Sequence, residues 1–140
     1  MQEQDRALFL KLTDEFYHSD ATLHPIPMEY HENAFNEMMR SDVYLEGYIL
    51  EHEGQSAGYA LVSRTYSHEA GGPAVWLEEL YVLPEYRSCG LGREFFAYLE
   101  ENLPAARYRL EVEEDNERAI SLYRRLDYEV LPYVQMIKDC

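Results

Sequence analysis

Two glycines, Gly90 and Gly92, stand between an apolar stretch, Leu80-Tyr81-Val82-Leu83, and a segment of helical character beginning Gly92-Arg93-Glu94-Phe95-Phe96. Glycine has no Cβ to hold a ligand away from the backbone. The first N–H groups of a helix lack intrahelical partners, and the helix dipole adds partial positive charge there. Together these features make a seat for a phosphate or pyrophosphate. A nucleoside-triphosphate loop would need Lys-Ser or Lys-Thr after the glycines, and neither follows. A dinucleotide loop would need a third glycine where Phe95 stands. What remains is R-x-x-G-x-G, formed by Arg87, Gly90 and Gly92 and preceded by the V-x-P-E-Y of Val82, Pro84, Glu85 and Tyr86.

Three carboxylates and one phenol offer proton chemistry. Glu78 and Glu79 precede the glycine loop, and Glu111 lies in a second apolar stretch. An apolar setting raises the pKa of a carboxylic acid and suits it to act as a base near neutral pH. Strict strand alternation puts Glu78 on the same face as Leu80 and Val82. Either Glu78 or Glu111 reads equally well as a solvated, outward-facing group. Tyr123 carries a phenol that keeps its proton at neutral pH and can donate it. It also shares a helical face with Ala119, Ile120 and Leu126, as a core aromatic would.

These side chains need elements to hold them. Residues 3–19 place Leu8, Leu12 and Phe16 at helical spacing, with Ala7, Leu10 and Tyr17 beside them. Pro25 and Pro27 make a non-helical loop of 23–27, and a second helix is expected over about 28–41. Strands are predicted over 44–51 and 55–66, joined by a turn at Glu53-Gly54, and then over 74–82 after the loop 68–73. Helix 90–103 carries Leu91, Phe95, Leu99 and Leu103. Strand 107–113, helix 116–126 and a final strand or strand pair over 127–139 complete the chain.

After the glycine loop the chain shows Leu110-Glu111-Val112 as L-x-V, then Asn116, Ala119 and Tyr123 as N-x-x-A-x-x-x-Y, then an aromatic segment at Tyr128. Loop and second signature, in this order, resemble the GNAT superfamily of N-acetyltransferases over about residues 44 to 139. One departure is Asp127, where the family commonly has glycine; Asp tolerates a left-handed backbone better than most residues. The resemblance implies an α/β (α+β) fold with a central mixed, mostly antiparallel sheet of six to seven strands flanked by four helices. All of 1–140 is expected to form one such domain. The chain begins almost at its first helix, so the family's opening edge strand would be missing. A partner chain would cover the exposed edge, and a homodimer is one way to do so.

The resemblance also implies acetyl-coenzyme A as co-substrate and direct transfer of its acetyl group to a primary amine. The backbone of Leu80, Tyr81 and Val82 would flank the pantetheine arm. The N–H groups of Ser88, Cys89, Gly90, Leu91, Gly92 and Arg93 would cradle the pyrophosphate, with Arg87 nearby. Asn116 and Ala119 would border the pantetheine, Asn116 equally well being a plain helix cap. Tyr123 would be the general acid. Glu78-Glu79 resembles the acidic pair of polyamine and thialysine N-acetyltransferases. Glu111 matches the catalytic glutamate of ribosomal-protein alanine acetyltransferases. Glu78 ranks ahead of Glu111 as the base. The acceptor would sit under residues 20–30 and 64–73, where His24, Tyr30, His31 and Tyr66 could line it together with Glu78 and Glu79. A protein or peptide amine as acceptor, or a module that binds acetyl-coenzyme A without turnover, are the competing readings.

Composition narrows the partners. The chain has 12 Lys and Arg against 27 Asp and Glu, a net charge of -15 over 140 residues. So acidic a surface does not hold a nucleic-acid backbone. It would steer in a cationic small molecule or a basic peptide tail, and it reads equally well as a solubility feature. Taken with Glu78-Glu79 at the site, a polyamine- or lysine-like amine is the expected acceptor. No run has the ~18 apolar residues a membrane span requires. The polar, acidic start Met1-Gln2-Glu3 has no secretory character, so a cytoplasmic protein is expected. His18, His24, His31, His52, His68, Cys89 and Cys140 have no metal-ligand spacing, so no metal is expected.

Overall fold

A computed structural model describes residues 1–140. A 3₁₀ turn at Glu3–Asp5 leads into α1 (Arg6–Tyr17), and α2 (Met28–Arg40) follows after the proline loop. Three strands come next: β1 (Glu46–His52), β2 (Gln55–Ser67) and β3 (Gly72–Val82). A 3₁₀ turn at Pro84–Tyr86 precedes α3 (Leu91–Asn102), then β4 (Arg107–Leu110) and α4 (Glu117–Arg125). The β1–β2 turn has positive φ at both Glu53 (51°) and Gly54 (79°), as a tight two-residue hairpin requires.

The sheet runs in the order β1-β2-β3-β4. Its first two pairings are antiparallel and β3 pairs with β4 in parallel. Alternation along β2 divides the core. Tyr59 and Leu61 meet Phe9, Leu12, Phe16 and Phe35 of α1 and α2 on one face. Ala60 and Val62 meet Phe95, Phe96 and Leu99 of α3 on the other. α1 and α2 therefore cover one face and α3 the other, with Tyr123 and Leu126 of α4 packed beside α3. No helix is long and apolar enough to cross a membrane.

The sheet has four strands where six to seven were expected. The shortfall lies in two places. No strand precedes α1; instead the Met1 amine donates to the Gly47 carbonyl of β1 at 3.2 Å. Residues 127–139 form no strand either, and their side chains from Val130 onward are exposed. Pro132 removes a ladder donor from the middle of that segment. The segment is held by Tyr128, whose ring packs on Phe96 and Tyr123, and by Tyr133, whose hydroxyl donates to Glu69 at 2.6 Å. Where α4 ends, Asp127 has φ 69°, and Tyr128 N–H bonds the Tyr123 carbonyl at 3.0 Å. That is a left-handed helix stop in which aspartate takes glycine's usual place.

Candidate active site

β3 and β4 are paired only from Ala74–Arg107 to Leu77–Leu110. β3 runs on to Val82 while β4 stops, so the two strands part and leave a cleft. A cavity of about 110 Å³ lies there, lined by Leu77 to Leu80 on one strand and by Leu110, Glu111 and Val112 on the other. Asn116, Ala119 and Tyr123 of α4 close one side, and Phe16 and Ala21 close the opposite one.

A β-bulge shapes its polar wall. Leu61 pairs with Glu79 and Val62 with Leu77, so Glu78 is an extra residue on β3. The bulge breaks the alternation expected for Glu78. Leu80 packs in the α3-side core, whereas Glu78 accepts from Ser63 Oγ at 2.5 Å on the other face. Glu79 turns to that same face, so two consecutive carboxylates stand side by side. Glu78 is exposed and Glu79 is half-buried. The Tyr59 hydroxyl donates to Glu79 Oε1 at 2.6 Å and the Tyr17 hydroxyl to Oε2 at 2.8 Å. Burial pushes the Glu79 carboxyl above the ordinary glutamate value, the two tyrosine donors pull it back, and the Glu78 charge adds to the rise. Tyr17 and Tyr59 are themselves pushed well above the usual phenol range, burial being the main cause and Glu79 the next. Both remain donors at any working pH.

Across the cavity, Tyr123 packs edge-on against Phe96 at 5.7 Å between centroids. Burial raises its pKa, so its proton stays in place to be given away. Glu111 is exposed at the cavity rim. Asn116 Oδ1 accepts from the Ala119 N–H at 3.2 Å, which makes it the cap of α4.

The glycine loop follows the end of β3, beyond the point where β3 and β4 part, and is tied to α4. Gly90 has φ 84°, and a Cβ there would meet no protein atom within 4 Å. That space is free for a ligand. Gly92 has another reason: a Cβ there would lie 3.3 Å from Leu122 of α4, so its absence lets α3 and α4 close up. Ser88 holds φ 66°, and Arg118 Nη2 donates to its hydroxyl at 2.9 Å, pinning the loop to α4. Arg87 Nε donates to the Val82 carbonyl at 3.1 Å. Arg93 and Cys89 are exposed, and the Cys89 thiol lies 3.9 Å from the Arg87 carbonyl. The Leu83 N–H bonds Ala57 of β2 at 2.8 Å. By alternation, the N–H groups of Leu80 and Val82 point the other way, into the cleft.

The remaining expected acceptor residues lie apart from the cavity. His24 and Tyr30 are exposed on and after the proline loop, and Tyr66 sits near the far end of β2. His31 is 2% exposed, inside the packing of α1 on α2. No three His, Cys, Asp or Glu side chains group closely enough to hold a metal ion. Sequence reasoning did not single out Tyr59 or Thr13, and it read Tyr17 only as part of a helix. Alternation gives their faces, but only the β2–β3 register and the packing of α1 bring them to Glu79.

The model of the acetyltransferase (GNAT) family matches residues 8–128. The mouse (Mus musculus) thialysine N-epsilon-acetyltransferase is 36% identical over 72 residues, which are 49% of this chain and 42% of that protein. The chain thus matches under half the length of this curated relative. Among solved structures, a possible acetyltransferase from Clostridium difficile 630 superposes with a TM-score of 0.82 at 16% identity, covering 100% of this chain and 94% of that one. AAC(6')-Iy, in complex with the bisubstrate analogue CoA-S-monomethyl-acetylneamine, gives 0.80 at 19% identity, covering 100% and 95%. At such identities these likenesses establish the fold.

Proposed function

The chain belongs to the GNAT acetyltransferase family, and from that premise we propose that it transfers acetyl from acetyl-coenzyme A to the primary amine of a small cationic molecule. The observation that carries this reading is the cleft itself. A half-buried carboxylate and a proton-bearing phenol line one small cavity, and the glycine loop follows the strand that forms its wall. The acceptors in the names of the mouse relative and of AAC(6')-Iy's bound analogue are amines, which agrees with it.

The open space at Gly90 and the inward N–H groups of β3 fit the coenzyme A phosphates and pantetheine. When bound, acetyl-coenzyme A supplies an acyl group already activated as a thioester. We assign the base to Glu79 rather than Glu78, because only Glu79 is both shielded and held at each oxygen. Glu79 takes the proton that an acceptor ammonium must lose before its nitrogen can attack. The N–H groups of Leu80 and Val82 stabilise the negative charge that grows on the carbonyl oxygen. As the carbon–nitrogen bond forms and the carbon–sulfur bond breaks, Tyr123 gives its proton to the departing sulfur; the second proton, shed by the nitrogen, restores the phenol, and Glu79 releases the first to solvent. Burial makes Glu79 a better base near neutral pH than a free glutamate. The exposed apolar residues Val130, Val134, Met136 and Ile137, with the free edge of β4, favour a homodimer in which that edge is covered.

Thiol release from acetyl-coenzyme A across cationic, neutral and acidic amines and a basic peptide tests this reading. Turnover is expected with a cationic small amine. Its kcat/KM should fall on acidification through a pKa above the ordinary glutamate 4.5, because Glu79 must be ionised to accept a proton. Glu79→Gln should lose ~10²–10⁴ in rate together with that acidic limb. Binding of acetyl-coenzyme A with no thiol release from any amine would make the protein a binding module instead.

A further inference from the structure

Behind Glu79 the hydrogen bonds continue into the core. Tyr59 Oη lies 3.2 Å from Thr13 Oγ1, and Thr13 Oγ1 lies 3.1 Å from His31 Nδ1. Tyr59, Thr13 and His31 are 0%, 1% and 2% exposed. Nε2 of His31 has no partner at all. Buried polar side chains normally satisfy every strong donor, so the direction of this chain of bonds can be worked out.

Each hydroxyl has one proton, which leaves two self-consistent directions. In the first, His31 Nδ1–H donates to Thr13, Thr13 to Tyr59, and Tyr59 to an ionised Glu79; Nε2 is then a bare lone pair. In the second, a protonated Glu79 donates to Tyr59, Tyr59 to Thr13, and Thr13 to His31 Nδ1. A neutral imidazole must then carry its proton on Nε2, as an N–H with no acceptor. Orphaned buried N–H groups are rarer than orphaned acceptors, and an ionised Glu79 must take the proton of Tyr59, which leaves Thr13 to donate to Tyr59. The first direction wins. Burial keeps the ring neutral, lowering its pKa against the pull of Asp14, while His18 adds to the lowering.

We propose that His31 and Thr13 are positioning residues for the transfer: they fix the direction of this hydrogen-bond chain so that the single proton of Tyr59 always points at Glu79. The proposal rests on the reading of Glu79 as the base. The carboxylate is thereby held ionised, with both oxygens tied by Tyr59 and Tyr17 and its remaining lone pairs free for the acceptor. The other titratable groups facing Glu79 are Glu78 beside it and, around the cavity, Glu111 and Tyr123. Those facing His31 are Tyr17, whose ring meets the imidazole edge-on at 5.4 Å between centroids, and Asp14 and His18, all of α1.

Nitrogen-15 NMR of the histidine rings in the unmodified protein reads the tautomer directly, without any turnover. A protonated Nδ1 and bare Nε2 at His31 are expected; the reverse tautomer overturns the proposal. Thr13→Val keeps the shape and removes the hydroxyl. Glu79 keeps its bond from Tyr59, whose hydroxyl loses the donor that polarises it, so the carboxyl, followed by carbon-13 NMR, should then titrate higher by roughly 0.1–0.6 pH unit. The acidic limb of kcat/KM should move up with it, and Thr13→Ser should restore both. An unmoved Glu79 titration in folded Thr13→Val also overturns the proposal. If the carboxyl moves but the kinetic limb does not, the directed chain stands and the assignment of Glu79 as base fails.

Discussion

Tyr123 shows what a single residue's spacing can and cannot reveal. Its place after Asn116 and Ala119 reads as a proton donor or a core ring, and spacing alone does not choose between them. The ring packs on Phe96 and Tyr128, while the residue lines the cavity. Tyr123→Phe keeps those contacts and removes only the hydroxyl. The rate is expected to fall by ~10²–10⁴ with affinity for acetyl-coenzyme A nearly unchanged, as for a group that acts in the transition state. Turnover within a few-fold of the parent, measured where chemistry limits the rate, would leave Tyr123 a packing residue. The carboxylates were less legible. Alternation alone put Glu78 with Leu80, and the bulge that separates them has no residue signature here, neither glycine nor proline. Glu79 draws its character from Tyr17 and Tyr59, which lie 62 and 20 positions away in sequence.

At the level of elements, the helices and the first three strands could be read from periodicity to within a few residues, because each buries one face against another element. The ends of β4 and of the sheet could not. Leu110-Glu111-Val112 looks like a continuing strand, yet β4 pairs only as far as Leu110, and the cleft exists because of that early stop. The final segment has strand-like composition, but nothing buries its side chains beyond Tyr128. The glycine loop was legible in part: Gly90 stands open to solvent as a ligand seat would, whereas Gly92 answers to the packing of α3 on α4 through Leu122. The two glycines thus make different demands. Gly90→Asn keeps a left-handed residue, since Asn tolerates that conformation, and fills only the open space. It should lower the calorimetric affinity for acetyl-coenzyme A at little cost in stability. Gly90→Val should lower both, because a branched side chain is strained at this φ. Unchanged affinity in folded Gly90→Asn would move the phosphate seat elsewhere.

Over the whole molecule the balance of charge sets two opposed demands. A net charge of -15 draws in a cationic acceptor and repels coenzyme A, which is itself an anion. The fold separates the two locally. Glu78, Glu79 and Glu111 border the cavity, while Arg87, Arg93 and Arg118 gather at the glycine loop, Arg118 tied to it through Ser88. The long-range field of the acidic surface is cut off beyond about 10 Å at 0.1 M ionic strength, whereas contacts shorter than that persist. The two substrates should therefore respond in opposite senses. Raising salt should lower kcat/KM for a cationic amine and leave a neutral amine unaffected. Over the same range the association rate of acetyl-coenzyme A should rise or hold level. A general effect of salt on folding or chemistry would move both substrates the same way, so stopped-flow association and steady-state rates on one salt series separate the cases. A cationic acceptor whose kcat/KM is indifferent to salt would show that the acidic surface plays no part in choosing it.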